Sequence, residues 1–141
     1  MTGILRTGTG NQYANKAVSQ KLIVALNPEA KIDGSRVLVG DEVWNVTGAT
    51  DPKIAMLQPA LKTRQHRVNL PEFYKSEGFD VLVIVRQMRG RVSVYELRDF
   101  HALDALLEKR QVSAGWSAIQ RCARGSITVL SNYEASELLK N

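Results

Sequence analysis

A chain of 141 residues, 44% hydrophobic and 23% charged, has the size and composition of a single globular domain, which excludes a disordered polymer and a fibrous repeat. No apolar run approaches the roughly 18 residues of a membrane span; the single cysteine, Cys122, excludes an intramolecular disulfide or a Cys-rich zinc site; and two histidines, His66 and His101, argue against a His-based metal centre. The net charge of +5 is unevenly spread: residues 53–91 carry eight Lys or Arg against three Asp or Glu, while the segments on either side cancel, the asymmetry expected of a surface that meets a polyanion.

Residues 1–10 (MTGILRTGTG) are rich in Gly and Thr, lack periodicity and read as a flexible arm before a globular domain at residues 11–141. They contain no apolar signal core, so a cytoplasmic protein is expected. Ala14, Val18, Leu22, Ala25 and Leu26 recur at helical spacing, with Pro28 just beyond, so a helix is predicted from Asn11 to Leu26, capped by Thr9 or Asn11. The first 28 residues hold Arg6, Lys16 and Lys21 and no acid, giving that helix a cationic exposed side. Arg36 to Val39 and Glu42 to Val46, joined by Gly40-Asp41, read as a hairpin, with Trp44 in the core. A further extended stretch is expected from Ile54 to Arg64, interrupted by Pro59.

A short helix is predicted near Pro71 to Lys75. Phe79 to Arg86 (FDVLVIVR) is the most apolar segment and suits a strand covered on both faces. Arg89-Gly90 turns the chain into a pairing strand from Arg91 to Leu97. Asp99 caps a helix to about Arg110, Ser113 caps another that buries Trp116, and Ile127 to Leu130 forms a last strand. Ser131 and Glu134 have capping-box spacing for a terminal helix. The fold class is therefore α/β (α+β), a mixed β-sheet with flanking helices.

Phosphate-cradling and serine-hydrolase motifs are absent: Gly8-Thr9-Gly10 lacks the rest of a dinucleotide fingerprint, and there is no Gly-x-Ser-x-Gly and no His-Glu-x-x-His. What stands out is Asp51-Pro52 followed by Gln58-Pro59-Ala60-Leu61-Lys62-Thr63-Arg64. In an extended 58–64, Gln58, Ala60, Lys62 and Arg64 share one face. Asp51 at the mouth of this strand can hold a divalent metal, and Lys62 on it can position water or offset phosphorane charge, the two roles a metal-dependent phosphodiesterase requires. Lys62-Thr63-Arg64-Gln65-His66-Arg67 is the densest donor cluster; with Lys53, it supplies Arg64, Gln65, His66 and Arg67 as candidate nucleic-acid contacts.

At these residues the chain resembles the restriction-endonuclease-like, or PD-(D/E)XK, nuclease superfamily. That family places an Asp after a hairpin strand and an acid-x-Lys on the next strand, behind an N-terminal helix and before a very apolar strand. Asp51, position 60 and Lys62 match the spacing, and "ALKTRQHR" followed by "FDVLVIVRQMRGRVSVYEL" is similar to the polar-then-buried succession of those cores. The likeness spans roughly residues 11–100. It implies a restriction-endonuclease-like core, a Mg2+- or Mn2+-dependent endonuclease acting on DNA, and a homodimer, since two copies most simply cut two strands. RNA is an open alternative as substrate. The family's second carboxylate falls at Ala60, so either Asp41 or Glu42 supplies further ligands or the chain is inactive. Two other readings stand beside this one: a non-catalytic nucleic-acid-binding or regulatory module using the basic 53–91 surface, and a scaffold whose basic segment faces solvent.

Overall fold

A computed structural model describes residues 12–48, 70–108, 115–123 and 126–140. After a 3-10 turn at Gln12–Ala14 come α1 (Lys16–Leu26), β1 (Lys31–Asp33), β2 (Arg36–Val39), β3 (Glu42–Gly48), α2 (Leu70–Glu77), β4 (Val81–Met88), β5 (Arg91–Leu97), α3 (Phe100–Glu108), α4 (Gly115–Ala123), β6 (Ile127–Ser131) and α5 (Asn132–Leu139). The strands form one sheet in the order β1-β2-β3-β4-β5-β6. Every neighbouring pair is antiparallel except β3 and β4, which run parallel from Trp44↔Val81 to Gly48↔Val85. A parallel pair needs a long crossover, and the stretch that includes α2 provides it.

The period of two along each strand sorts the side chains. Val37, Val39, Trp44, Val46, Val81, Val83, Val85, Val92 and Val94 lie on one face and form a core with Leu22 and Ile23 of α1 and Ala135 of α5. Leu82, Ile84, Tyr95 and Leu97 lie on the other, in the layer of α2, α3 and α4, where Tyr74 and Leu103 are buried. Val81 to Val85 are all fully or almost fully buried, because β4 is central and helices cover it on both sides. The mixed sheet with flanking helices is therefore as its alternating pattern predicts.

The helix ends differ from the sequence reading in one respect. α1 begins at Lys16, not Asn11, because Asn15 is its cap: the Asn15 side chain accepts from the amides of Ala17 at 2.9 Å and Val18 at 3.3 Å. Asp99 accepts from the Ala102 amide at 3.0 Å, as its position before α3 predicts. The Ser131/Glu134 capping box is complete, with Ser131 Oγ accepting at 3.0 Å and the Glu134 carboxylate accepting at 2.8 Å. β1 is an addition; its three exposed residues carry no apolar signal and pair only because the Gly34-Ser35 turn, with Gly34 at φ 62°, folds them back on β2. The expected N-terminal arm, the strand over Ile54 to Arg64, the Ser113 cap and the side chain of Trp116 lie outside the described residues.

Candidate functional site

The sequence-derived site falls in the segment between β3 and α2. Asp51, Lys53, Ala60, Lys62, Arg64, Gln65, His66 and Arg67 all lie outside the described residues. What the structure does place is where this segment leaves the sheet. β3 ends at Gly48 beside Val85, so the chain departs three residues before Asp51 at the carboxyl end of the parallel β3/β4 pair. β3 and β4 are direct neighbours, so no strand lies between them.

Glu42, one of the acids considered as a further ligand, opens β3 at the end opposite Gly48. Six residues at about 3.3 Å each put roughly 20 Å between them. Its carboxylate is also engaged: Oε1 accepts from Arg98 Nη2 at 2.9 Å and from Trp44 Nε1 at 3.0 Å. Arg98 in turn bridges to Glu96 at 3.1 Å and stacks 5.9 Å from the Trp44 ring centroid. The Arg98 guanidinium holds the Glu42 carboxyl below its ordinary range. This cluster ties β3 to the end of β5 over the Trp44 ring. Asp41 sits exposed in the β2–β3 turn. Among the described residues no group of three or more His, Cys, Asp or Glu comes together in a metal-holding arrangement.

The carboxyl end of β4 is built differently. Val85 pairs with Val94, Arg86 with Ser93 and Met88 with Arg91, so Arg86, Met88, Arg91 and Ser93 project from one face, continued by Val129 of β6 opposite Ser93. Met88 is 46% and Val129 53% exposed, so the helices of this layer stop short of the patch. Arg89 adds a third guanidinium at the turn. Neither Arg89 nor Arg91 has an ion-pair partner among the described residues, while Arg86 lies 3.4 Å from the Tyr95 hydroxyl. No strand position sharing this face from β3 to β6 is acidic. The turn is held in place, with Gly90 at φ 68° and its carbonyl accepting from the Asn132 amide at 3.0 Å. The register gathers Arg86 and Arg91 on one face, with Arg89 at the turn.

Near the start of β4, level with Leu82, sits a polar chain that the sequence did not reveal. β2 pairs with β3 only from Val37↔Trp44 to Val39↔Glu42, so beyond Trp44 the outer edge of β3 has no described strand beside it. Lys16 fills that role, donating to Asn45 Oδ1 at 3.1 Å and to the Val46 carbonyl, while Asn45 Nδ2 donates to the Tyr74 hydroxyl at 3.1 Å. Lys16 is thus turned inward and is not part of a cationic outer helix face, whereas Lys21 is exposed. Burial lowers the pKa of the Lys16 ammonium and pushes the Tyr74 phenol up to about 12.

Among the described residues no helix is long and apolar enough to cross a membrane. No protein-family model matches the chain, and no curated protein or solved structure does so either.

Proposed function

We propose that the protein binds nucleic acid through the arginine-bearing end of its sheet. The observation that carries this reading is the convergence of Arg86, Arg89 and Arg91 on a patch that also exposes Met88 and Val129 and holds no acid along its strand positions. Guanidinium groups take phosphate oxygens bidentately, and exposed apolar side chains between them suit the sugar and base faces of a strand. The sequence that follows β3 holds Lys53, Lys62, Arg64, Gln65, His66 and Arg67, the candidate contacts read from the sequence.

The test is salt dependence. Fluorescence anisotropy with labelled duplex DNA, single-stranded DNA and RNA between 50 and 200 mM salt reports how many phosphates are neutralised, at about 0.9 per contact in the log–log slope for duplex and about 0.7 for single strands. The Arg89→Gln/Arg91→Gln pair should reduce the slope by about 1.8 on duplex or about 1.4 on a single strand. An unchanged slope, or no binding at 50 mM salt, overturns the proposal.

Phosphodiester cleavage is the further activity we propose on the nuclease resemblance. It assigns Mg2+ or Mn2+ to Asp51 and charge stabilisation to Lys62, with DNA as substrate and a homodimer as the cutting unit. The succession of an N-terminal helix, a hairpin and a very apolar strand supports it. Plasmid cleavage with either metal, set beside Lys62→Ala and Ala60→Glu variants, tests it. Activity gained with Glu at position 60 and lost without Lys62 is the expected result; inert variants that still bind DNA leave a binding module.

A further inference from the structure

On the opposite face of the sheet from the arginine patch, but at the same end, lies a cleft of about 480 Å³ lined by Gln12, Tyr13, Gln87, Asn132, Tyr133 and Ser136, with the Glu137–Lys140 ion pair at its rim. This volume falls within the roughly 300–1,000 Å³ of small-molecule sites. Two of its lining side chains are anomalous. Gln87 Oε1 and Asn132 Oδ1 are both buried from water and have no hydrogen-bond partner among the described residues. An acceptor buried without a donor is unfavourable, so two beside one cleft mark a place where the free chain is left incomplete. At the mouth, Tyr133 is 72% exposed, the most exposed large hydrophobic side chain described.

We propose that this cleft receives a nucleobase carrying an exocyclic amino group. The unmet groups are acceptors, so they select a ligand with N–H donors. The terminal amide torsions of Asn and Gln are soft, and a small rotation turns each oxygen toward an entering amine. An amino group offers two N–H donors, and the adjoining ring nitrogen of adenine or cytosine accepts from the amide nitrogen of the same side chain, the pairing by which Asn and Gln read adenine. Uracil and thymine carry a single imide N–H on that edge, which can meet one of the two oxygens but leaves the other unpaired. Tyr133 supplies a face for base stacking. Gln87 follows Arg86 on the opposite face, and Asn132 is tied to the turn that carries Arg89, so a strand held by Arg89 at the turn reaches the cleft by crossing the end of the sheet. The inference rests on the nucleic-acid reading for its biological ligand, but the cleft itself is tested without phosphates.

Adenosine, cytidine and uridine are titrated into the full chain and followed by NMR chemical-shift changes, with Gln87→Met and Tyr133→Ala alongside. Adenosine and cytidine should bind at least about 10-fold more tightly than uridine, the equivalent of one unsatisfied buried acceptor. Gln87→Met should abolish that preference while leaving thermal stability unchanged or raised, because it removes an unpaired polar group; a purely structural glutamine would instead lower it on replacement. Tyr133→Ala should weaken all three. Absence of binding, equal binding of the three nucleosides, or a preference that survives Gln87→Met overturns the inference. Because nucleosides carry no phosphate, selective binding together with an unchanged salt slope in the arginine variants would reject the nucleic-acid reading and leave the cleft standing.

Discussion

Replacing Tyr74 by Phe removes one hydroxyl from a ring that is 1% exposed and packs 4.4 Å from Phe100 and 5.6 Å from Phe79, centroid to centroid. Burial raises its phenol from the ordinary 10.0 to about 12, against a smaller opposing effect of the Asn45 hydrogen bond. The folded value lies above the unfolded one, so the folded chain holds the proton more tightly. Stability from the neutral phenol is complete below pH 10 and is lost as pH rises from 10 towards 12. Two units correspond to about 2.7 kcal/mol in total, of which about 1.4 kcal/mol is gone by pH 11. Below pH 9 the variant should be the weaker protein by about 1 kcal/mol, the net worth of a hydrogen bond. Above pH 11 the order should reverse, because only the wild type has a phenol at position 74 to ionise. Urea unfolding followed by circular dichroism at intervals from pH 8 to 11.5 reads this directly, and the wild-type minus variant absorbance at 295 nm isolates the ionisation itself. A stability difference that stays constant from pH 8 to 11, or a difference titration centred near 10, would show that Tyr74 is not sealed between α2 and the sheet as described.

Lys16→Met should cost about 1–3 kcal/mol at pH 7, because Asn45 Oδ1 and the Val46 carbonyl lose their donor. The wild-type Lys16 pKa is lowered on folding, so its contribution rises with pH up to the ordinary lysine range, opposite in sign to Tyr74; urea unfolding of the variant between pH 8 and 10 should lack that rise. Glu42 has its pKa lowered, chiefly by Arg98, so it stabilises above the ordinary carboxylate range and loses that stabilisation as pH falls through its folded value. The Arg98 and Glu42 side chains are 46% and 40% exposed, which limits the effect to about 1 kcal/mol. Thermal unfolding from pH 7 to 3 should therefore show Glu42→Gln converging on the wild type in acid, and parallel curves would refute the pairing.

The fold was legible wherever burial imposed a period. FDVLVIVR announced the central strand because both of its faces are covered, and Gly40-Asp41 and Arg89-Gly90 announced hairpins because a two-residue connection suits antiparallel strands. The capping box at Ser131 and Glu134 and the Asp99 cap were readable because each is a local hydrogen bond between near neighbours. β1 was not, since Lys31-Ile32-Asp33 is held by pairing and not by a core. The true cap of α1 was obscured because Asn11 and Asn15 are equally good caps, and only the 3-10 turn at Gln12–Ala14 favours the second. The site was the harder part. Lys16, Asn45 and Tyr74 are separated by 29 residues at each step, and no spacing rule joins residues brought together by a parallel crossover. Gln87 and Asn132 were hidden for the same reason: an unpaired acceptor is a property of surroundings and leaves no mark in the sequence.

The arginine patch and the amide-lined cleft lie at one end of the sheet, and the topology explains why. β3 and β4 run parallel, so both deliver their chain to the same edge, where ligands of α/β sheets are usually met. β3 leaves the sheet there at Gly48, and β4 hands on the turn that holds Arg89. β6 runs antiparallel to β5, so it also ends there, bringing Asn132 and Tyr133 onto the opposite face. The other end of the sheet has charges too, but Glu42, Glu96 and Arg98 satisfy one another across Trp44. The two groups thus differ in their state: one is closed on itself, and the other holds Arg89 and Arg91 with no acid, and two amide oxygens with no donor, among the described residues. A closed cluster stabilises the chain that contains it, whereas an open one gains its partners only from outside, which is why the carboxyl end of β4 is where a ligand belongs.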